Sequence, residues 1–337
     1  YSEPGELLSE YHKQAIDTTR VVSRRFSIPK IPAILRELAK AREEIRQFNA
    51  DFLYVNQYAD TPFPALLSKV TRVPLLVHLR LPCPHYLSRQ YRWGLKQGRG
   101  AIAISKATKQ GYERQGIDSY KIKVLHNGID TEACSSAYES RARPDNQKII
   151  TYLGRICPDK GIETLIEAFR RAHKRDRSLV LQIAGKVRSA EIDNTEEYLE
   201  KLKAQAGDIP ADNLKFLPHQ SDVSHLIAGS TLLALPSVWE EPFGRTIVEG
   251  MACGVPTLAS DIGGIPEILT PNFSDWLVPP GDAVAWAEAM LDKINWPQNQ
   301  PDLSNRLRNE AVRRFNMDDY ITNLMQTFRM FLSNPHK

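Results

Sequence analysis

Two basic residues and two glycines stand close together in the segment Gly154-Arg155-Ile156-Cys157-Pro158-Asp159-Lys160-Gly161, between a strand-like run and a helical one. Glycines let a backbone approach a phosphate, and a guanidinium together with an ammonium can neutralise a pair of phosphates. Open α/β sheets bind ligands at such carboxyl ends of strands. Alone, the segment predicts an anion site only weakly, because basic residues at helix starts are often merely exposed.

A second group of chemically useful residues is Glu241-Pro242-Phe243-Gly244-Arg245-Thr246-Ile247-Val248-Glu249, which follows the strand-like run Leu232–Leu235. A helix is predicted to begin near Gly244, and the free N–H groups at a helix start suit an anion. Glu249 lies further along the same side of this helix, and a carboxylate can accept hydrogen bonds from both hydroxyls of a ribose. Either glutamate alone would be a capping or surface residue; the joint pattern favours a nucleotide site.

A third segment, Asp261-Ile262-Gly263-Gly264-Ile265-Pro266-Glu267, follows the strand-like run Pro256–Ala259. It supplies another glycine-rich turn from strand to helix at the same sheet edge. By itself such a motif is more often a plain turn than a site.

Strand-like runs and amphipathic helical stretches alternate along the chain, which is the pattern of parallel sheets built from βαβ units. The predicted strands are Phe52–Val55, Leu75–Leu79, Ala101–Ile104, Ile122–Leu125, Ile149–Leu153, Leu179–Ala184, Leu214–Leu217, Leu232–Leu235 and Pro256–Ala259. The predicted helices lie near 31–48, 63–70, 87–97, 106–115, 161–173, 195–206, 222–229, 245–252, 282–293 and 302–333. The pattern predicts an α/β protein with two doubly wound, Rossmann-like domains in tandem.

The domain boundaries follow from a polar stretch at roughly 131–147, which reads as a linker. The predicted domains are 1–140 and 141–315, and a final helix within 316–337 is expected to pack back on the first domain through Tyr320, Ile321, Leu324, Met325, Phe328 and Phe331. Residues 1–5 are loop-like, and a helix at roughly 5–15 and a weak strand at 18–22 follow. The first domain is therefore expected to lack an initial strand–helix–strand unit.

The net charge of +4 hides an asymmetry between the two halves of the chain. Residues 1–140 hold 21 Lys and Arg against 14 Asp and Glu, whereas the remaining residues hold 23 against 26. A one-sided basic field attracts phosphates, acidic glycans or an anionic membrane surface. A solvated basic face with no partner is an equally good explanation of the charge alone.

Composition indicates an intracellular globular protein. No run of 18 apolar residues and no secretory leader is seen, so we expect a soluble, cytoplasmic chain. The four cysteines (Cys83, Cys134, Cys157 and Cys253) form no C-x-x-C pair, which favours free buried thiols over a zinc site or a disulfide framework.

These segments resemble, in order and spacing, the signature of retaining glycosyltransferase family 4, also called glycosyl transferases group 1. The resemblance extends from about Asp51 to Asp292. It is carried by Pro236-Ser237 … Glu241-Pro242-Phe243-Gly244 … Glu249-Gly250-Met251-Ala252-Cys253-Gly254-Val255-Pro256, with Gly154-Arg155 … Lys160-Gly161, Asn127-Gly128-Ile129-Asp130 and Gly263-Gly264-Ile265-Pro266-Glu267. The resemblance implies a GT-B fold, in which two Rossmann-like domains face each other across a cleft and the C-terminal one holds a nucleotide-sugar.

The resemblance also implies a role for each residue of the site. Arg155 and Lys160 would stabilise the diphosphate leaving group, Glu241 would meet hydroxyls of the donor sugar, and Glu249 would hold the ribose. Backbone amides of the Phe-Gly-Arg element would reach the sugar and the phosphate, and the base would lie between the loops after Gly185 and Phe216. The implied catalytic residues are Arg155, Lys160, Glu241 and His78, and the implied donor-binding residues are Glu249, Phe243, Gly244, Arg245, Gly154, Leu217 and Thr246.

His78 is included because similar enzymes place a histidine after a strand of the N-terminal domain that faces the cleft. A histidine at the end of a strand is otherwise usually structural. His85 is the alternative candidate.

The implied reaction retains the anomeric configuration and needs no metal or other cofactor, because the nucleotide-sugar is itself a substrate. The acceptor would attack on the face from which the diphosphate departs, and a phosphate oxygen would take the proton. Consistent with this, the sequence contains no Asp-x-Asp motif. A UDP-sugar is the first expectation for the donor and a GDP-sugar the second.

Three departures from the family pattern bear on these expectations. Lys186 stands where an acidic or small residue is usual, which bears on base recognition, and Arg245 is bulkier than the expected aliphatic residue. The glycine-rich loop of the N-terminal domain is also absent from the sequence. That loss leaves a catalytically degenerate nucleotide-sugar-binding protein as an alternative, beside a GT-B nucleotide-sugar epimerase.

The acceptor is expected to be a glycan, a lipid or a small molecule. Residues 85–99 mix aromatic and basic side chains, which would suit peripheral contact with the inner face of a membrane or an anionic lipid-linked acceptor. An ordinary helix with its aromatics inward and its arginines outward is the preferred interpretation. No nucleic-acid-binding module is found.

Overall fold

The computed structural model describes residues 31–132, 134, 148–187, 194–220 and 222–333. The predicted helix near 5–15, the predicted strand at 18–22 and most of the predicted linker lie outside the described residues. The chain divides into two compact units, one of residues 1–125 with 324–337 and one of residues 126–323. The first compact unit ends at Leu125, and the domain bounds given above stay predictions.

The first unit is built on a four-stranded parallel sheet in the order β1-β2-β3-β4. Its strands are β1 (Leu53–Val55), β2 (Leu75–Leu79), β3 (Gly100–Ala103) and β4 (Ile122–Val124). The accompanying helices are α1 (Ile31–Phe48), α2 (Pro62–Thr71), α3 (Arg89–Gln97) and α4 (Lys106–Arg114).

The central strand β2 is buried along its whole length because the sheet is covered on both faces. Leu75 and Val77 point into one apolar cluster, whereas Leu76, on the opposite face, packs with Phe328 and Phe331 from the C-terminal helix. The last part of that helix therefore belongs to the first unit.

The second unit contains six parallel strands in the order β7-β6-β5-β8-β9-β10. They are β5 (Lys148–Leu153), β6 (Leu179–Ala184), β7 (Leu214–Leu217), β8 (Leu232–Leu235), β9 (Thr257–Ser260) and β10 (Leu277–Val278). This is the strand order of a Rossmann fold, in which the direction of winding reverses between β5 and β8. Ligands of such sheets bind outside the carboxyl ends of the strands at this switch point.

The helices of the second unit follow the strands in turn. They are α5 (Ile162–Arg175), α6 (Thr195–Ala206), α7 (Ser224–Ala228), α8 (Arg245–Ala252), α9 (Ile265–Leu269), α10 (Ala283–Lys293), α11 (Trp296–Asn299), α12 (Leu303–Phe315) and α13 (Met317–Ser333), which ends in the first unit. Helix α5 illustrates why they form: its apolar residues Ile162, Leu165, Ile166 and Phe169 recur at helical spacing and are all buried.

The structure divides the helical stretch predicted over 302–333 into two helices separated at Asn316. This residue has an extended backbone (φ −60°, ψ 140°), and its side-chain oxygen accepts hydrogen bonds from the backbone N–H groups of Asp318 and Asp319. Asparagine is a strong N-cap, and acidic residues favour the first turn of a helix. The sequence Asn-Met-Asp-Asp therefore carried a signal for a new helix start.

None of the described helices combines the length and the hydrophobicity needed to cross a membrane.

Candidate functional site

Three loops converge at the switch point of the second sheet. We call them the β5 loop (154–161), the β8 loop (236–244) and the β9 loop (261–264), after the strands that they follow. The backbone N–H of Val238 donates to the carbonyl of Asp159 at 3.1 Å, and that of Gly264 donates to the carbonyl of Glu241 at 2.7 Å. The β8 loop is therefore tied to both of its neighbours.

Glycines permit this close approach of the loops. Gly161 has a left-handed φ of 67°, and a Cβ at this position would lie 2.0 Å from the carbonyl oxygen of Pro236. Gly263 has a φ of 62°, and its Cβ would lie 2.3 Å from the carbonyl oxygen of Glu241. A side chain at either position would force the loops apart.

The centre of the site is an ion pair between Lys160 and Glu241. The ammonium of Lys160 contacts Oε2 of Glu241, and the hydroxyl of Ser237 donates to the same oxygen at 3.0 Å. The two charged side chains are only 11% and 13% exposed. The structure thus joins two of the residues that the sequence implicates, one from each loop, in a nearly buried pair.

Trp239 of the β8 loop completes the surroundings of this pair. The ammonium of Lys160 lies 5.5 Å from the centre of the indole ring, within the range of a cation–π interaction. Ser237 and Trp239 were not predicted as site residues, although both lie inside the motif.

Arg155 supplies a second, more accessible cation in the β5 loop. Its side chain is 49% exposed, and Nη2 lies 3.5 Å from a carboxylate oxygen of Asp159. The hydroxyl of buried Tyr152 donates to the carbonyl of Arg155 and so fixes the backbone there. Gly154 precedes it, and its N–H donates to Ala184 of the neighbouring strand at 3.1 Å.

Helix α8 begins directly after the β8 loop. Gly244, with a φ of 103°, precedes Arg245, and the hydroxyl of Thr246 donates to the carbonyl of Leu153 at 3.4 Å, which ties the helix start to β5. Nε of Arg245 lies 2.7 Å from Oε1 of Glu249, one turn further on. The carboxylate predicted to hold a ribose is therefore paired with the residue that departs from the family pattern.

The carboxyl of Glu249 is mostly buried, whereas Arg245 is largely exposed. Burial raises the pKa of Glu249 above its usual value, and attraction to the nearby guanidinium only partly opposes this effect.

Phe243 has a buried side chain, so only its backbone can reach a ligand. Its ring stacks on His126, with ring centres 5.7 Å apart and planes at 30°, and meets Phe315 edge-on at 5.9 Å. His126 was not predicted as a site residue, although it directly precedes the Asn-Gly-Ile-Asp motif.

The region predicted for the base lies beside the β5 loop. The N–H of Gly185, after β6, donates to the carbonyl of Leu217 at the end of β7 at 3.4 Å. The carbonyl of Lys186 accepts from Ile156 of the β5 loop at 2.9 Å, while its side chain is exposed.

His78 lies in the first unit, within β2, and is fully buried. Its Nδ1 forms a hydrogen bond with the hydroxyl of Tyr54, whereas Nε2 is buried without a partner in the described part of the chain. Burial, together with the charge of Arg80, lowers the pKa of His78 to about 3. The alternative candidate, His85, is exposed and lies outside the sheet.

The state of His78 predicts a pH dependence of stability. Its folded pKa of about 3 lies below the ordinary 6.5, so the unfolded chain binds the proton more readily. The contribution of the neutral His78 ring to the free energy of unfolding is therefore fully present above pH 6.5. It declines as the pH falls from 6.5 towards 3, by up to about 1.4 kcal/mol per pH unit. Between pH 7.5 and pH 5.0, the free energy of unfolding measured in urea should fall by about 2 kcal/mol less in His78→Gln than in the unmodified chain. Equal losses in both proteins would contradict the assignment of a neutral buried ring.

Within the described ranges, no group of three or more His, Cys, Asp or Glu side chains is placed to hold a metal ion.

Two models of known protein families match this chain. The family model described as glycosyl transferases group 1 matches residues 137–314, and the model described as glycosyltransferase family 4 matches residues 2–133. The chain belongs to the glycosyl transferases group 1 family. The three loops of the second unit all fall inside the first of these matches.

Curated relatives of this family member are moderately similar in sequence. A D-inositol 3-phosphate glycosyltransferase of Mycolicibacterium smegmatis is 29% identical over 64% of this chain and 49% of the relative. The phosphatidyl-myo-inositol mannosyltransferase of Mycobacterium leprae is 28% identical over 71% of this chain and 61% of the relative. An N-acetyl-alpha-D-glucosaminyl L-malate synthase of Bacillus anthracis is 22% identical over 90% and 81%. The chain aligns with only about half the length of the inositol-phosphate relatives.

Solved structures of similar fold cover nearly the whole chain. Anabaena HepE in complex with UDP and glucose has a TM-score of 0.80 at 22% identity, over 97% of this chain and 90% of that one. A glycosyltransferase from Rickettsia africae has a TM-score of 0.83 at 20% identity, over 98% and 89%. The family member thus has the GT-B fold, with two Rossmann-like parallel-sheet domains.

Proposed function

We propose that this family member transfers a sugar from a nucleoside-diphosphate-sugar to an acceptor, with the donor bound by the β5, β8 and β9 loops of the second unit. The observation that carries the proposal is the Lys160–Glu241 pair. It stands beside Arg155 and the start of helix α8, at the switch point of a Rossmann-type sheet. Cations and helix N–H groups at this position suit a diphosphate.

Different residues of the site bind different parts of the donor. Arg155 and Lys160 stabilise the negative charge that develops on the leaving diphosphate, and the N–H groups at the start of α8 assist them. Oε2 of Glu241 is already engaged by Lys160 and Ser237, so Oε1 is the oxygen that accepts a hydrogen bond from a sugar hydroxyl. Glu249 takes the ribose, which requires Arg245 to exchange its contact with this carboxylate for one with the phosphates.

The proposed reaction retains the anomeric configuration and proceeds without a metal. The bond between the anomeric carbon and the diphosphate oxygen breaks while the acceptor hydroxyl oxygen bonds to that carbon on the same face. The hydroxyl proton passes to the departing phosphate oxygen, so no protein nucleophile is required. His78 is the remaining residue proposed to be catalytic, and its buried Nε2 has no partner among the described residues.

UDP is the proposed nucleotide, with GDP as the second choice. The UDP, UDP-glucose and UDP-with-glucose complexes of the structural neighbour HepE support this choice. The exposed ammonium of Lys186, beside the predicted base region, is the feature of this chain that would modify base recognition.

The proposed acceptor is anionic. The relatives are named for inositol 3-phosphate, phosphatidyl-myo-inositol and malate, and each of these compounds carries negative charge. Residues 1–140 of this chain carry the excess of Lys and Arg noted above, which would attract such an acceptor or an anionic membrane surface. In residues 85–99, Tyr91 and Trp93 pack against the core, so peripheral membrane contact would depend on exposed Tyr86 and its basic neighbours.

The test is a transfer assay in the presence of EDTA, with UDP-glucose and GDP-mannose as donors. The acceptors are inositol phosphate, malate and phosphatidylinositol vesicles, and NMR follows the anomeric proton of the product. We expect an α-linked product from an α-linked donor, with release of the nucleoside diphosphate. Conversion of the donor sugar without an acceptor would indicate an epimerase instead. Donor binding without turnover of any donor would indicate a degenerate binding protein.

A further inference from the structure

His126 occupies the position at which the chain enters the second unit, directly before the Asn127–Asp130 motif. The proposed function assigns no role to the Asn127–Asp130 motif, nor to Glu267 at the end of the segment 261–267. His126 contacts the two regions at once: its ring stacks on Phe243, and its Nε2 lies 3.0 Å from Oε2 of Glu267. The pair is half-buried, with exposures of 25% and 16%.

Glu267 is itself held in place by the end of helix α12. The guanidinium of Arg314 donates to the backbone carbonyls of Glu267 and, at 2.8 Å, of Ile268, so the start of α9 cannot easily shift. Arg314 also lies 4.7 Å from the ring centre of Phe315, the second aromatic neighbour of Phe243. One nitrogen of the His126 imidazole is thus held by the carboxylate of a residue whose backbone is anchored by Arg314.

Phe243 is enclosed as a result. Its side chain is 2% exposed and lies against His126 on one side and Phe315 on another. The backbone N–H of Ile129 donates to the carbonyl of Phe315 at 2.9 Å, which holds the segment after His126 against the same helix end. Stacked and edge-on aromatic contacts of this kind stabilise the ring beyond simple burial.

The position of Phe243 in the chain makes these contacts relevant to the donor. It lies between Glu241 and Gly244, so the orientation of its buried ring sets the direction of the backbone N–H groups that follow. A buried aromatic residue is a rigid anchor, whereas a loop attached only by backbone bonds can rotate its N–H groups away from a ligand.

We infer that His126 is a positioning residue for the sugar end of the donor: held by Glu267, it fixes Phe243 and thereby aims the N–H groups of the β8 loop. This inference rests on the proposed function. It predicts that loss of His126 affects the sugar end of the donor more than the nucleotide end, which Arg155 and Glu249 hold.

The experiment compares the affinities of UDP and UDP-glucose in four variants: His126→Ala, His126→Phe, Glu267→Gln and the double variant His126→Ala/Glu267→Gln. In calorimetric titrations, His126→Ala should raise the Kd of UDP-glucose about tenfold and that of UDP no more than about twofold, since small misplacements of positioning groups are costly. Glu267→Gln and His126→Phe, which keeps the ring but loses its nitrogen, should each raise the UDP-glucose Kd about threefold. The double variant should match His126→Ala, because two residues that act through one contact are not additive.

His225→Ala is the matched control. His225 also pairs with a carboxylate in the second unit, Asp222 at 3.2 Å, but its side chain is 75% exposed and touches none of the three loops in any described contact. Both Kd values of this variant should equal those of the unmodified chain.

Amide hydrogen exchange supplies an independent readout. Exchange at 243–245 should accelerate in His126→Ala while the amides of β8 remain protected. Equal weakening of UDP and UDP-glucose, additive effects in the double variant or unchanged exchange at 243–245 would each overturn the inference. If the unmodified chain bound neither compound, the proposed function would fail, and the exchange data alone would decide whether His126 positions the loop.

Discussion

Replacing Lys160 with methionine should lower kcat/KM for sugar transfer by about 10²–10³-fold, the usual cost of losing one group that stabilises a developing negative charge. It should also lower the free energy of unfolding by about 3–5 kcal/mol, because the nearly buried carboxylate of Glu241 would lose its cation. Urea unfolding and the initial rates of nucleoside diphosphate release measure the two effects separately.

Two further variants separate the structural from the chemical effect of Lys160. In Lys160→Met/Glu241→Gln, the uncompensated charge is gone, so most of the lost stability should return while activity stays low. Lys148→Met is the matched control, because Lys148 stands at the amino end of the same strand β5 and pairs with Asp176 at 2.7 Å. It should cost some stability but leave transfer unchanged. Full activity in Lys160→Met would contradict the role of this ammonium.

Replacing Gly161 with alanine should damage the site severely. The residue has a φ of 67°, and the new Cβ would lie 2.0 Å from the carbonyl oxygen of Pro236. The left-handed backbone alone costs a non-glycine residue about 1 kcal/mol or more, and relief of the clash requires the β5 and β8 loops to separate. We expect a loss of about 3 kcal/mol or more in stability and at least about tenfold in donor affinity, since the cations would no longer converge.

Gly281→Ala separates the effect of backbone strain from the effect of the clash between the loops. Gly281 has a similar φ of 75°, but a Cβ there would meet no atom within 4 Å. The same substitution should therefore cost only the backbone strain of about 1 kcal/mol and leave donor binding intact. Similar losses in both variants would mean that strain, not the approach of the loops, makes Gly161 necessary.

Most of the sheet could be predicted because buried parallel strands leave a local pattern in the sequence. Runs such as Leu179–Ala184 and Leu232–Leu235 are short, apolar and separated by amphipathic helices, and the structure has the strands at these bounds. The edge strand β10 was missed because only Leu277 and Val278 pair with β9. Two residues are too few to show a periodicity.

The site could be predicted only as far as local motifs allow. The contact of Arg245 with Glu249 follows from helical spacing and was available to sequence reasoning. The pairing of Lys160 with Glu241 joins residues 81 positions apart, and that of His126 with Glu267 joins residues 141 positions apart. Such contacts depend on which strands are neighbours at the switch point, and no local pattern encodes that arrangement.

The loops at the switch point of the second unit are proposed to hold a nucleoside diphosphate. The most direct measurement is calorimetric titration with UDP, GDP and ADP in EDTA, for the unmodified chain and for Arg155→Ala and Glu249→Ala. We expect that UDP binds, and that each variant weakens its binding by about tenfold or more, because one removes a phosphate cation and the other the ribose contact. Absence of binding by all three nucleotides, or UDP binding that neither substitution changes, would contradict this proposal.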